Sequence, residues 1–307
     1  MIGSKNTVSL LKKMIVEGKR CLIDYLIHSK FLVGCAVYKE KWMLEYTVHQ
    51  GVGKEYVVFL HGIGGTSSIF CKQMETFKNH YNVVTVHLPG HGNSPGVDTY
   101  NEPFTINLIV REIVKVLDGI GVGQAHFIGI SLGSVVIHEL MQQVPDRVQT
   151  AVLGGCITRF TLFSNSLLQA GHAIKGMIPF MWLYKLFAYV MMPKKNHRIS
   201  RKLFIREAKK MKRKDFLGWY QLTPFVKSTY ASVQERASHI PKLYITGKED
   251  HLFVRSLDED TKGDPSAVKV FLDGCGHVCN VERPTEFNRL ALDFIHNKQV
   301  LPLQKVQ

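Results

Sequence analysis

The chain has 307 residues, a 45% hydrophobic share and a formal net charge of +14. That length allows one large domain, or one domain carrying a sizeable insertion, and the apolar share excludes a disordered polyelectrolyte in favour of a substantial buried core. The charge is localised: between Ile157 and Ile240 stand 16 Lys and Arg against 3 Asp and Glu, which is nearly the whole excess.

Residues 1–37 are basic and partly amphipathic. Lys12 and Lys13 are followed by Glu17, Lys19, Arg20 and Asp24, so no clean secretory apolar run forms. A helix docked on the core is the reading preferred over a membrane or partner contact. The six cysteines, Cys21, Cys35, Cys71, Cys156, Cys275 and Cys279, show no framework spacing. They are expected to be reduced thiols in a cytoplasmic protein.

From Tyr56 onward short apolar runs alternate with longer helical ones, the pattern of parallel strands joined by crossover helices. Val57–Leu60, Val83–Val86, Ala125–Ile128, Val148–Leu153, Leu243–Thr246 and Val268–Leu272 read as buried strands. Ile106–Leu117, Leu132–Val144 and Pro284–Ile295 carry apolar residues at helical spacing. The alternation stops after Cys156 and resumes at Pro241. The stretch between is helical in flavour, basic and aromatic. Its most apolar part, Met177–Met192, is broken by Lys185 and is shorter than the ~20 residues a membrane span needs. It reads as a lid or core helix.

The sharpest chemical signal is Gly129-Ile130-Ser131-Leu132-Gly133, between a strand and a helix. A serine standing clear of a tight strand-to-helix turn needs small residues two positions either side, and the following helix lends free N–H groups to a developing oxyanion. His61-Gly62-Ile63-Gly64-Gly65 follows an earlier strand, where a loop can supply a second donor. The backbone N–H groups of Ile63 and Leu132 are the expected pair. Neither loop completes G-x-G-x-x-G or ends in Gly-Lys-Ser/Thr, which disfavours a phosphate cradle.

The run Leu88-Pro89-Gly90-His91-Gly92-Asn93-Ser94 resembles the D-x-P-G-x-G-x-S turn of the α/β-hydrolase superfamily, with His87 where that family commonly has aspartate. The order of the motifs agrees with it as well, over roughly Tyr38 to Gln299. The resemblance implies a mostly parallel sheet with helices on both faces and a helical cap. It also implies a triad whose acid and histidine follow the serine. Ile245-Thr246-Gly247-Lys248-Glu249-Asp250 is similar to the family's acid turn, which assigns the acid to Asp250 with Glu249 as its neighbour and rival; the usual proline after it is replaced by Phe253-Val254-Arg255. Gly274-Cys275-Gly276-His277 resembles the histidine loop. Ser131 is then nucleophile, His277 general base and Asp250 its orienting acid. His61 and His91 are read as serving backbone turns and His138 as structural.

The resemblance divides the chain into an extension at 1–37, a core at 38–156 and 237–307, and a cap at 157–236. The cap is expected to wall an acyl pocket, with Phe160, Phe163, Trp182 and Phe187 as substrate-facing residues, and its basic half to meet an anionic lipid surface. The expected activity is hydrolysis of a carboxylic ester with a lipid-like or small acyl group, similar to monoacylglycerol lipases and related esterases. The alternatives are thioester hydrolysis, acyl transfer, C–C bond hydrolysis, or a non-catalytic binder of the same fold. No cofactor, no metal and no nucleic-acid partner is expected; Cys275 and Cys279, either side of His277, read as packed thiols.

Overall fold

The computed structural model describes residues 35–38, 43–174 and 177–298. Most of the 1–37 extension therefore lies outside the described residues. Its last positions open strand β1 (Cys35–Tyr38), which pairs antiparallel with β2 (Tyr46–His49). Neither strand is legible in the sequence, because four residues are too few to establish a period.

The expected alternation follows: β3 (Tyr56–Leu60), α1 (Cys71–Lys78), β4 (Asn82–Val86), α2 (Ile106–Gly119), β5 (Ala125–Ile130), α3 (Leu132–Gln143) and β6 (Val148–Gly154). Five helices come next, α4 (Leu162–Ile174), α5 (Phe180–Met191), α6 (Arg198–Ala208), α7 (Arg213–Gln221) and α8 (Val226–Arg236). The chain then returns through β7 (Lys242–Gly247), α9 (Val254–Asp260), β8 (Ala267–Leu272), the single turn α10 (Cys279–Glu282) and α11 (Pro284–Asn297). The strands form one eight-stranded sheet, ordered β1-β2-β4-β3-β5-β6-β7-β8, and parallel from β4 to β8. Among the described residues no helix is long and apolar enough to cross a membrane.

Strand β3 shows why the sheet sits where it does. Val57, Val58, Phe59 and Leu60 are all fully buried, yet they serve two cores, because successive side chains leave a strand on opposite faces. Val58 and Leu60 pack with Ile109 and Ile113 of α2 and Ile137 and Leu140 of α3. Val57 and Phe59 pack with Phe70, Phe77 of α1, and Phe287 and Phe294 of α11. Each such side chain contributes ~1.5–3 kcal/mol by leaving water, so a two-sided strand is held more firmly than its length suggests. The parallel order brings the carboxyl ends of β5, β7 and β8 to one edge, where the loops holding Ser131, Asp250 and His277 emerge.

Candidate active site

Ser131 sits at the hinge between β5 and α3 with φ 56° and ψ −114°, a left-handed backbone that a non-glycine residue adopts at a cost of ~1–3 kcal/mol. The surrounding structure enforces it. A Cβ on Gly129 would lie 2.6 Å from the Gly133 carbonyl, and one on Gly133 would lie 2.1 Å from the Leu60 oxygen. Both glycines are therefore needed for strand, turn and helix to close on each other. The Ser131 N–H donates to Gly154 O at 2.9 Å, and Ser134 Oγ donates back to Ser131 O at 2.5 Å.

Ser131 Oγ donates to His277 Nε2 at 2.8 Å, and His277 Nδ1 donates to Asp250 Oδ2 at 2.7 Å. The imidazole and the carboxylate are fully buried, and Ser131 is nearly so. These three residues from distant parts of the chain thus form one chain of hydrogen bonds. Glu249 turns the other way. It accepts from Asn196 at 2.8 Å, from His197 at 2.8 Å and from Lys194 at 3.0 Å. The hydrogen bonds from Asn196 and Lys194 hold its carboxyl down at about 2. Where the expected proline is missing, Phe253 lays its ring 5.4 Å from that of His277, and Val254 begins α9 with its N–H on Asp250 O at 3.0 Å. A backbone hydrogen bond from the start of α9 and a packed ring thus stand where the proline is expected.

The Ile63 and Leu132 N–H groups take no acceptor among the described residues, and both residues line a cavity that includes Ser131. The loop that carries Ile63 is held by two buried, neutral histidines. His61 accepts from the Leu88 N–H at 3.1 Å and donates to Gly62 O at 2.8 Å. His91 accepts from the Gly64 N–H at 2.8 Å and donates to Pro89 O at 3.0 Å. Desolvation pushes His61 well below the usual imidazole range and His91 down to about 4, so each keeps the lone pair its backbone donor needs. From the helices between β6 and β7, Tyr184 donates to Ile63 O at 2.8 Å. Burial, then the charge of Glu207, raises that phenol well above the ordinary tyrosine range and keeps it a donor. Sequence reasoning missed Tyr184, whose only signal was its place in an apolar helix.

His87, in the family's aspartate position, bonds Glu45 Oε2 at 2.6 Å through Nδ1 and accepts from the Ser67 N–H at 3.1 Å through Nε2. Asn93 also donates to Glu45 from its backbone at 2.6 Å and its side chain at 2.7 Å. The substitution thus rebuilds the turn around a Glu45–His87 pair away from the triad. Cys275 and Cys279 are separate, buried free thiols, each raised by desolvation above the ordinary thiol range. Cys71 is disulfide-bonded, which corrects the expectation of six reduced cysteines. Its partner is not among the residues whose side chains are described, and pairing between distant cysteines depends on proximity that spacing cannot reveal.

Ser131 opens onto a cavity of about 110 Å³ between the sheet edge and helices α4–α8. Its walls include Ile157, Phe160, Leu168, Phe187, Phe216 and Trp219, and among the described residues no lysine, arginine or carboxylate lines it. A smaller space of about 30 Å³ also adjoins Ser131, lined by Gly62, Ser200, Glu207 and His277 among others. Of the four aromatics expected at the pocket, Phe160 and Phe187 line it. Phe163 and Trp182 do not: they are 62% and 68% exposed and point outward. Helix α5 is apolar on nearly every side, so periodicity could not tell its inner face from its outer one, and in α4 the apolar Leu162 and Phe163 lie on the exposed side with Asn165 and Ser166.

The alpha/beta hydrolase family model matches residues 57–290. The chain is 27% identical over 298 residues to a 2-hydroxy-6-oxononadienedioate/2-hydroxy-6-oxononatrienedioate hydrolase of Burkholderia vietnamiensis, covering 89% of this chain and 99% of that protein. It is 25% identical over 252 residues to a putative carbamate hydrolase of Enterobacter cloacae, covering 78% and 91%. Among solved structures, the N-acyl homoserine lactone degrading enzyme Est816 superposes with a TM-score of 0.66 at 21% identity, over 84% of this chain and 99% of that one.

Proposed function

The chain belongs to the alpha/beta hydrolase family and is a hydrolase, and from that premise we propose that it cleaves carboxylic esters with an apolar acyl group through Ser131, His277 and Asp250. The observation that carries this reading is the cavity at Ser131: lined mostly by aliphatic and aromatic side chains and without a fixed charge among its described lining residues. Such a pocket stabilises a hydrocarbon chain by desolvation and leaves specificity to shape.

In this mechanism His277 takes the proton of Ser131 as Oγ forms a bond to the ester carbonyl carbon. Asp250 holds the imidazole in the tautomer whose Nε2 is free to accept and stabilises the cation that forms. The Ile63 and Leu132 N–H groups meet the tetrahedral oxyanion, and deletion of one such donor typically costs ~2.7–4 kcal/mol. The carbon–oxygen bond to the alcohol breaks, and the alcohol leaves with the proton from His277. Water then attacks the acyl-enzyme with the same histidine as base, the bond from the acyl carbon to Ser131 Oγ breaks, and His277 returns the proton to Ser131 as the carboxylic acid leaves.

C–C bond hydrolysis is the second reading, favoured by the name of the Burkholderia vietnamiensis relative. That name describes a dicarboxylate, and a site for one needs cationic partners; the described lining of this cavity has none. A fluorophosphonate probe, followed by a chain-length series of activated esters, tests the proposal. Labelling of wild type, lost in Ser131→Ala, together with ester turnover that rises with acyl length is the expected result. Absence of ester turnover in a probe-labelled enzyme would overturn the ester assignment while leaving a reactive serine.

A further inference from the structure

Helix α5 turns one face to solvent, and that face is apolar where a surface helix is normally polar. Trp182, Leu186 and Tyr189 are 68%, 50% and 57% exposed and fall at i, i+4 and i+7, with exposed Lys185 among them. Phe163 of α4 is exposed as well. Basic α6 lies alongside: its Arg201 guanidinium stands 4.5 Å over the Tyr189 ring. Lys185, Lys195, Arg198 and Lys202 have no carboxylate partner among the described residues, although Lys194, Arg206 and Lys210 nearby are paired. Leu186 is both half exposed and part of the wall of the Ser131 cavity, so this face and the cavity share a boundary.

We propose that the exposed face of α5, flanked by the cations of α6, docks on an anionic phospholipid bilayer, with Trp182, Leu186 and Tyr189 entering the headgroup region. Amphipathic rings and leucine set among lysines and arginines are the composition that binds at such an interface, combining desolvation with attraction to anionic lipid. Charge selects this occupant. Residues 1–34 of the chain carry six Lys and Arg against two acids, a charge of the same sign as that of α6, whereas an anionic lipid surface complements it. Docking itself needs no chemistry. Delivery of a lipid acyl chain past Leu186 to Ser131 rests on the ester-hydrolase reading.

Flotation of the full-length protein with vesicles tests the docking. Wild type is expected to float with phosphatidylcholine vesicles that contain phosphatidylglycerol, to stay behind with phosphatidylcholine alone, and to be released by molar salt. Trp182→Ser is expected to lower the bound fraction about tenfold. The combined substitution Lys195→Gln, Arg198→Gln and Lys202→Gln is expected to lower it on the order of 100-fold, at roughly one lipid-facing charge each. Both variants should keep wild-type melting temperatures and wild-type turnover of a short soluble ester. Brominated lipid should quench a tryptophan emission that Trp182→Phe removes. Failure of wild type to float overturns the proposal. So does flotation unchanged in both variants, which would move the contact elsewhere in the chain, or a dimer that Trp182→Ser dissociates, which would make a second copy the occupant. Flotation without any ester turnover would instead sink the ester-hydrolase reading and leave the docking surface standing.

Discussion

Two adjacent acids, Glu249 and Asp250, end up with opposite tasks. Asp250 is buried against His277, while Glu249 bonds Asn196, His197 and Lys194 at the start of α6. On the proposed mechanism Asp250→Asn reverses the tautomer preference of His277 and lowers kcat by ~10⁴-fold. Glu249→Gln keeps kcat within about tenfold, because no reacting proton depends on it. Ester hydrolysis by the two purified variants decides the assignment, and equal losses would undo it. Glu45 offers a test of stability. Burial alone would raise its carboxyl, but hydrogen bonds from His87 and Asn93 outweigh it and bring it from 4.5 to about 2. A carboxyl depressed on folding adds stability that is complete above its unfolded value and is lost as pH falls through the folded one. Wild type should therefore lose stability relative to Glu45→Gln between pH 4.5 and about 2 in urea titrations, and parallel curves would refute it.

At the scale of elements, α2 shows how a helix is started. Thr105 holds an extended backbone (φ −132°, ψ 164°), and its hydroxyl accepts from the Leu108 N–H at 3.2 Å, answering one of the free donors of the first turn. Thr105→Ala should cost about 1 kcal/mol and leave turnover unchanged, since α2 reaches the cavity only through Ile106. Thermal melts beside ester assays would show the two effects apart. Helix α3 starts differently. Ser131 is its N-terminal flanking residue but makes no side-chain cap, because its hydroxyl is committed to His277. The N–H of Leu132, the first residue of the helix, is left for the substrate in the proposed mechanism.

At the scale of the whole molecule, the helices between β6 and β7 are fastened to the sheet edge by buried polar contacts. Trp219 donates from Nε1 to Pro89 O at 2.8 Å, Asp215 accepts from the Val97 N–H at 2.9 Å, and Thr66 donates to Glu207 at 3.0 Å. Trp219 also packs edge-on to Phe104 at 5.2 Å and forms part of the cavity wall. Trp219→Ala removes packing and one of the two donors to Pro89 O, leaving only His91 Nδ1, and should cost ~3–5 kcal/mol in denaturant unfolding. The same change enlarges the cavity, so the preferred acyl length should move upward. A stable variant with an unchanged chain-length profile would contradict both expectations.

The strands β3 to β8 and the glycine-flanked serine turn were legible because they depend on local rules, while the acid and histidine were legible through the resemblance of their turns to those of the α/β-hydrolase superfamily. Strands buried on both faces read as continuous apolar runs, and a strained turn needs its glycines whatever lies around it. The rebuilding of the missing aspartate as a Glu45–His87 pair, the Tyr184 contact to Ile63 and the separation of Phe160 and Phe187 from Phe163 and Trp182 depended on folding. Each turns on which residues from distant parts of the chain meet. A helix apolar on every side carries no periodic mark of the face its neighbours will cover.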